Sequence, residues 1–399
     1  MLVWRTMLDE QLYCQRNGGS VKQSTIPATP ISWWIWCCVF AVVSGAIGSV
    51  WDISWHKSIG RDTFWSPPHV LIYLCAIIAG FLCAWLIAGI TRNPSSPYRA
   101  SSVRIWRLRG PLGAFVSGWG SLAMLTSAPF DDWWHNAYGL DVEVLSPPHT
   151  VLAAGILGII LGSLLLSLAW QNNTSGPAEG RGQALFSYSA GVLVAMFAIL
   201  VVEYSAPNQQ HASLFYRISC GLYPLFLLAA ARASKLRWPA TTVALIYMLV
   251  ICTMLWILPL FRAEPMLGPI YNRVTHMVPP AFPLLLVIPA FAIDLLLRRA
   301  TGWSDWALAA AVGVVFFTLF LAAQFLFSEF LLSPLSRNWF FGGDRIWSYD
   351  ARPGPWRYQF WNLSQDPLSL RGLGMALVLA FLSARLGLAW GSWMARVKR

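Results

Sequence analysis

The sequence predicts an all-α, polytopic integral membrane protein of about ten transmembrane helices, built around a duplicated helical hairpin. Three observations predict it. Hydrophobic residues make up 57% of the chain and charged residues only 11%, and the mean hydropathy of +0.55 lies outside the soluble globular range. Apolar runs of roughly twenty residues, enough to cross a hydrocarbon core of about 30 Å, recur along all 399 residues. One motif occurs twice, each time between two such runs: WDISWHKSIGRDTFWSPPH at 51–69 and FDDWWHNAYGLDVEVLSPPH at 130–149.

The runs lie at 31–51, 69–91, 112–130, 149–170, 184–204, 214–233, 238–261, 277–297, 306–332 and 370–393. The first follows a polar, partly charged leader, so it reads as an uncleaved insertion signal and no cleavable signal peptide is expected. Basic residues mark alternate connections: Arg92, Arg99, Arg104, Arg107 and Arg109 after the second run, Arg232, Lys235 and Arg237 after the sixth, Arg298 and Arg299 after the eighth. Arg5, Arg16 and Lys22 before the first run, and Arg396, Lys398 and Arg399 after the tenth, fall on the same side. The positive-inside rule puts that side, with both termini, in the cytoplasm. The expected location is a bacterial inner (plasma) membrane, with the motifs on its outer side. Topology also accounts for the net charge of +11, so no nucleic-acid partner is inferred.

The chain then divides into a cytoplasmic segment (1–30), a first hairpin (31–91), a second hairpin (92–170), five further helices (171–333), a long outer loop (334–369), and a last helix with a basic cytoplasmic tail (370–399). The loop is dense in aromatic and basic residues, among them Trp339, Phe340, Phe341, Arg345, Trp347, Arg352, Trp356, Arg357 and Trp361. It reads first as an interfacial aromatic belt and second as a lid over the centre below. Seven cysteines (Cys14, Cys37, Cys38, Cys75, Cys83, Cys220, Cys252) show no CxxC spacing and read as small apolar residues rather than a disulfide framework.

The motif carries the chemistry. Asp52 and His56 are four residues apart, which puts both on one helix face, and His69 follows Pro67 and Pro68, which fix the start of the next helix. One ion can be reached from both helices. Asp131, His135 and His149 repeat the arrangement with one more residue between the histidines. Only six histidines occur in the chain, and four hold equivalent places in the repeats. A lone Asp or His at a helix end is ordinarily a cap or a headgroup-level residue; the duplicated set favours metal binding, because ionisable groups near a membrane core are costly. Asp62, Asp132 and Asp141 read as partners of the ligands or as solvated loop residues, as does Glu143. His211, His276, Glu203 and Glu329 are weaker candidates for the same centre. Two histidines and a carboxylate suit iron, and imidazole also suits copper and zinc.

The spacing D-x-x-x-H with a third ligand thirteen or fourteen residues on resembles the membrane C subunit of particulate methane and ammonia monooxygenases, over roughly the first four helices. The resemblance implies copper at Asp52, His56 and His69. It implies a second site at Asp131, His135 and His149, where that family has Asn in place of Asp131. It also implies a copper-dependent membrane oxidoreductase of monooxygenase type acting on a small apolar substrate, with iron and zinc as alternative metals. A quinol electron donor and partner membrane subunits or a homo-oligomer are further expectations. The alternatives are a membrane metal transporter or metal-insertion protein, with Asp294 as the main acidic group toward the inner side, and a non-catalytic metal-bearing membrane subunit.

Overall fold

The structure, a computed structural model, describes residues 33–139, 146–173, 177–360 and 366–398. The expected cytoplasmic segment with Arg5, Cys14, Arg16 and Lys22 lies outside the described residues, as do Asp141, Glu143, Trp361 and Arg399. Ten α-helices occur among the described residues: α1 (Trp33–Ser58), α2 (Pro67–Arg92), α3 (Leu112–Tyr138), α4 (Pro147–Asn173), α5 (Pro177–Leu200), α6 (Ser213–Ala233), α7 (Pro239–Ile257), α8 (Val287–Arg299), α9 (Asp305–Leu332) and α10 (Leu370–Met394). A two-stranded hairpin, β1 (Val103–Ile105) with β2 (Leu108–Gly110), joins α2 to α3. The chain is a helical membrane protein, and eight of the helices are long and apolar enough to span a bilayer.

The other two depart from the ten expected spans. Helix α3 has 27 residues but carries Asp131, Asp132, His135 and Asn136 near its end, and falls short in apolarity. Helix α8 has 13 residues, and the expected span at 277–297 begins instead as extended chain. Pro279, Pro280 and Pro283 account for this: each lacks an N–H and biases the residue before it away from helix. Non-helical backbone inside a membrane protein needs partners, and here side chains supply them. The Ser58 hydroxyl accepts from Val278 N (2.7 Å), the Tyr247 hydroxyl from Leu284 N (3.0 Å) and the Gln324 carbonyl from Leu285 N (2.9 Å). The Gln324 amide in turn donates to Gln210 Oε1 at 2.7 Å.

Packing places α1 against α2, α4 and α5, and α3 against α2 and α4. Helices α5 and α7 join this N-terminal group to the rest, in which α6 packs on α10 and α9 on α8 and α10. The α3–α4 contact is the tightest backbone approach. A Cβ on Gly120 would sit 2.6 Å from Gly155 O, and one on Gly155 would sit 2.8 Å from Gly120 O. Small residues at such crossings let helices gain dispersion contact where lipid offers no hydrophobic drive. At the far end of α4, the Asn172 and Asn173 amides donate to the carbonyls of Val397 (2.7 Å) and Lys398 (2.8 Å).

The long loop divides in two. Trp339 and Phe340 are exposed, whereas Ile346, Trp347 and Tyr349 turn inward and are buried. Tyr349 N donates to Lys57 O (3.0 Å), and Tyr349 O accepts from Tyr271 N and Asn272 N (3.0 and 2.8 Å). This part is fastened to the end of α1 beside the motif.

Candidate metal centre

In the first hairpin, the last turns of α1 present Asp52 and His56 on one face, and His69 lies in the first turn of α2. Gly60 reverses the chain at φ +82°, a backbone conformation that disfavours side-chain-bearing residues. The Ser66 hydroxyl then accepts from Thr63 N at 2.8 Å, just before the two prolines that open α2. The turn also brings in Asp62. Its Oδ2 lies 3.6 Å from His56 Nε2 and 3.4 Å from His69 Nε2, and Asp52 Oδ1 lies 3.1 Å from His69 Nε2. Asp62 is thus a fourth member of the group, where its position in the sequence left it equally readable as a loop residue.

In the second hairpin, His135 Nε2 lies 3.4 Å from Asp131 Oδ2 and His149 Nε2 lies 3.6 Å from Asp131 Oδ1. The order of elements is the same, with Asp131 and His135 ending α3 and His149 opening α4. Asp132 turns away from it. It is exposed, and its backbone carbonyl accepts from Asn136 Nδ2 at 2.8 Å. In each hairpin one ligand atom from each of the three motif residues lies within 4.8 Å of the other two.

The hydrogen bonds of the imidazoles test whether a cation fits. His69 Nδ1 lies 2.9 Å from Thr63 O, an acceptor, so the proton of a neutral ring belongs there and Nε2 is left with its lone pair. That lone pair faces the Asp52 and Asp62 carboxylates, which also only accept. His135 repeats the pattern, with Nδ1 3.3 Å from Gly139 O and Nε2 toward Asp131. Acceptors converging on acceptors call for a positive charge between them, either a ring proton or a metal ion. Asp52 Oδ1, His56 Nδ1 and Asp131 Oδ1 are moreover buried without an aligned hydrogen-bond partner, which is costly unless an ion or a ring proton satisfies them. The donor set and its backbone-oriented imidazoles fit a metal.

The two groups face one another. Asp52, His69, Asp131 and His149 line a single cavity of about 30 Å³, together with Tyr73, space for an ion or a water or two. No family model, curated protein or solved structure matches this chain.

Two larger spaces adjoin the groups. A 390 Å³ cavity touches Asp52, His56 and His149 on the side toward α5. An apolar groove of 700 Å³ runs between α2 and α3 past Trp65, Val70, Leu74 and Leu125, with Tyr73 in its wall. Tyr73 therefore stands between the groove and the 30 Å³ cavity, its hydroxyl donating to Phe64 O at 3.1 Å. The sequence signal for Tyr73 was its place four residues after His69, on the same helix face. Glu203 lines the 390 Å³ cavity and is exposed.

The remaining candidates have other work. His211 is stacked between Phe325 and Phe360, with centroids 3.8 and 3.4 Å away, and its Nε2–H points to Phe325 O at 3.3 Å. Burial lowers its pKa below the ordinary histidine value. His276 pairs through its backbone with Arg262, and burial followed by the Arg345 charge lowers its pKa. Neither reaches the metal groups, and Glu329 is near His211 instead. Asp294 accepts from Ala240 N, Thr241 N and the Thr241 hydroxyl at 3.1, 2.8 and 2.7 Å. It caps α7.

Proposed function

We propose that Asp52, His56 and His69, with Asp131, His135 and His149, hold one or two metal ions, and that the protein is a metal-dependent integral membrane oxidoreductase of monooxygenase type. Copper is the leading metal on the resemblance in spacing to the copper-binding membrane subunit, with iron or zinc as alternatives. The observation that carries the reading is the facing of two backbone-oriented Asp/His/His groups across one 30 Å³ cavity. When bound, the metal supplies the redox chemistry that activates oxygen.

The protein's own residues do the rest. Thr63 O and Gly139 O orient His69 and His135 so that Nε2 faces inward. Asp62 competes for the same nitrogens and sets how much negative charge the first group carries. The groove between α2 and α3 offers a small apolar substrate a path from the lipid, and Tyr73 at its inner wall separates that path from the carboxylates and limits water. Electrons come from a quinol or another membrane donor, and a partner subunit or second copy is compatible with the apolar surface.

In the same reading the two hairpins are a duplicated core, and ten segments cross the bilayer. Helix α3 passes between α2 and α4. Residues 277–299 cross as extended chain followed by α8, whose helical part alone reaches roughly 20 Å. Both ends of the chain then share the side of the basic connections, and the motifs lie on the other.

The deciding experiment measures bound copper, iron and zinc in protein purified in mild detergent, beside a His56→Ala/His135→Ala variant. Stoichiometric metal that the variant loses is expected, followed by quinol-dependent oxygen uptake. Absence of metal, or equal metal in the variant, ends the reading.

A further inference from the structure

Lys57 is the residue next to His56, and its side chain makes no hydrogen bond or ion pair with any described residue. It lines the 390 Å³ cavity beside the metal groups and also a second cavity of 500 Å³ behind it. The two share one wall, formed by Ile53, Lys57, Ile199 and Val202 with Ser348 and Asp350 of the inward-turned loop. The second cavity is otherwise largely apolar, with Ile251, Val278, Phe282 and Leu284 among its walls. Its volume lies in the range of roughly 300–1,000 Å³ that holds drug-sized ligands.

An ammonium at the junction of two mainly apolar chambers has lost much of its hydration, and the Asp350 and Glu203 carboxylates act on it through space without a contact ion pair; an anion brought into contact with it stabilises it further. The carboxylates of the walls favour the charged Lys57, Asp350 before Glu203, but neither makes an ion pair with it. Glu203 and Asp350 are exposed at the mouth, where water screens them, and Asp350 also accepts from the Ser348 hydroxyl. Arg352, in the wall of the larger cavity, is a positive charge exposed like those two and lies over the Tyr271 ring. Asp52 and His56 also line the smaller one.

We propose that the adjoining cavities bind a single-chain amphiphile with an anionic head, a carboxylate or a phosphate, the head held by Lys57 and the chain lodged in the 500 Å³ chamber. That this ligand is the substrate rests on the oxidoreductase reading; that it binds does not.

The test photolabels full-length protein in nanodiscs with a diazirine-bearing dodecanoate and maps the adducts by mass spectrometry. Adducts are expected on the chamber walls around Tyr247, Ile251, Val278 and Phe282. Dodecanoate or dodecyl phosphate should compete, the stronger of the two identifying the head, while dodecanol and dodecyltrimethylammonium should not. Lys57→Met should cut labelling on the order of tenfold or more, the scale of a charged hydrogen bond, and Lys57→Arg should keep it. Ala198→Phe, which fills the larger chamber and leaves Lys57 in place, should also lose it. This second variant decides the matter where Lys57→Met does not fold. Undiminished labelling in folded Ala198→Phe or Lys57→Met, equal competition by dodecanol, or adducts confined to lipid-facing helix surfaces would overturn the proposal. Metal is assayed on the same samples. Specific labelling without metal removes the metal reading and supports this one, whereas retained metal without specific labelling overturns this one alone.

Discussion

Asp62 and His211 show how much a single side chain's surroundings decide. Asp62 is 7% exposed in its side chain and touches both first-hairpin histidines, so Asp62→Asn removes a charge from the metal group without removing volume. Loss of such a partner costs roughly 10–100-fold in metal affinity. A chelator-competition titration that finds wild-type affinity in the variant would exclude Asp62 from the centre. The Asp52/His56 pairing and the Pro-Pro-His openings were legible in the sequence, because helix periodicity alone puts residues four apart on one face. The approach of Asp62 was not, because it depends on the positive φ at Gly60 and the turn that follows. His211 carries the opposite lesson, since rarity made it a candidate and two phenyl rings account for it. Its lowered pKa gives a signed prediction. The folded state binds fewer protons than the unfolded one, so the contribution of neutral His211 is present above the ordinary value of about 6.5 and is lost as pH falls through the lowered one. His211→Phe keeps the stack and should flatten the fall in thermal stability as pH drops below about 6.5; an unchanged profile argues that other groups set it.

Helices were readable where hydropathy and backbone chemistry agree, and misread where they part. Residues 277–297 are apolar enough for a span, yet Pro279, Pro280 and Pro283 keep 277–286 out of the helix, and hydropathy does not register a missing N–H. Helix α3 errs the other way. It is long enough to cross but holds Asp131 and Asp132, so a purely apolar criterion passes over the element that carries half of the candidate centre. What places α3 is its glycine contact with α4. Gly120→Val puts two methyl groups where Gly155 O already lies 2.6 Å from an added Cβ. The expected cost is about 1–3 kcal/mol or more, read as a lower unfolding temperature together with weaker metal retention, since His135 and His149 ride on the two helices. Full metal retention in a destabilised Gly120→Val protein would mean that the second group does not depend on that crossing.

At the scale of the molecule, the candidate centre, both large cavities and the fastened part of the loop gather where the two hairpins meet α5, α7 and residues 346–356. None of the shared wall around Lys57 could be read from one segment, because its parts come from three places in the sequence. A ligand that binds the folded protein alone raises stability by about 2.7 kcal/mol at a hundred times its dissociation constant. Saturating copper should therefore raise the unfolding temperature of the wild type, and leave that of His56→Ala/His135→Ala unmoved. A shift of equal size in both would assign the effect to metal bound elsewhere. The clasp at the far end of α4 adds a matter of timing. Asn172 and Asn173 reach carbonyls 225 residues further along the chain. At translation speeds of about 5–20 residues per second, their partners emerge roughly ten to forty-five seconds later. Until then these amides lack those partners, so this fastening closes only once residue 398 has emerged, after all ten described helices.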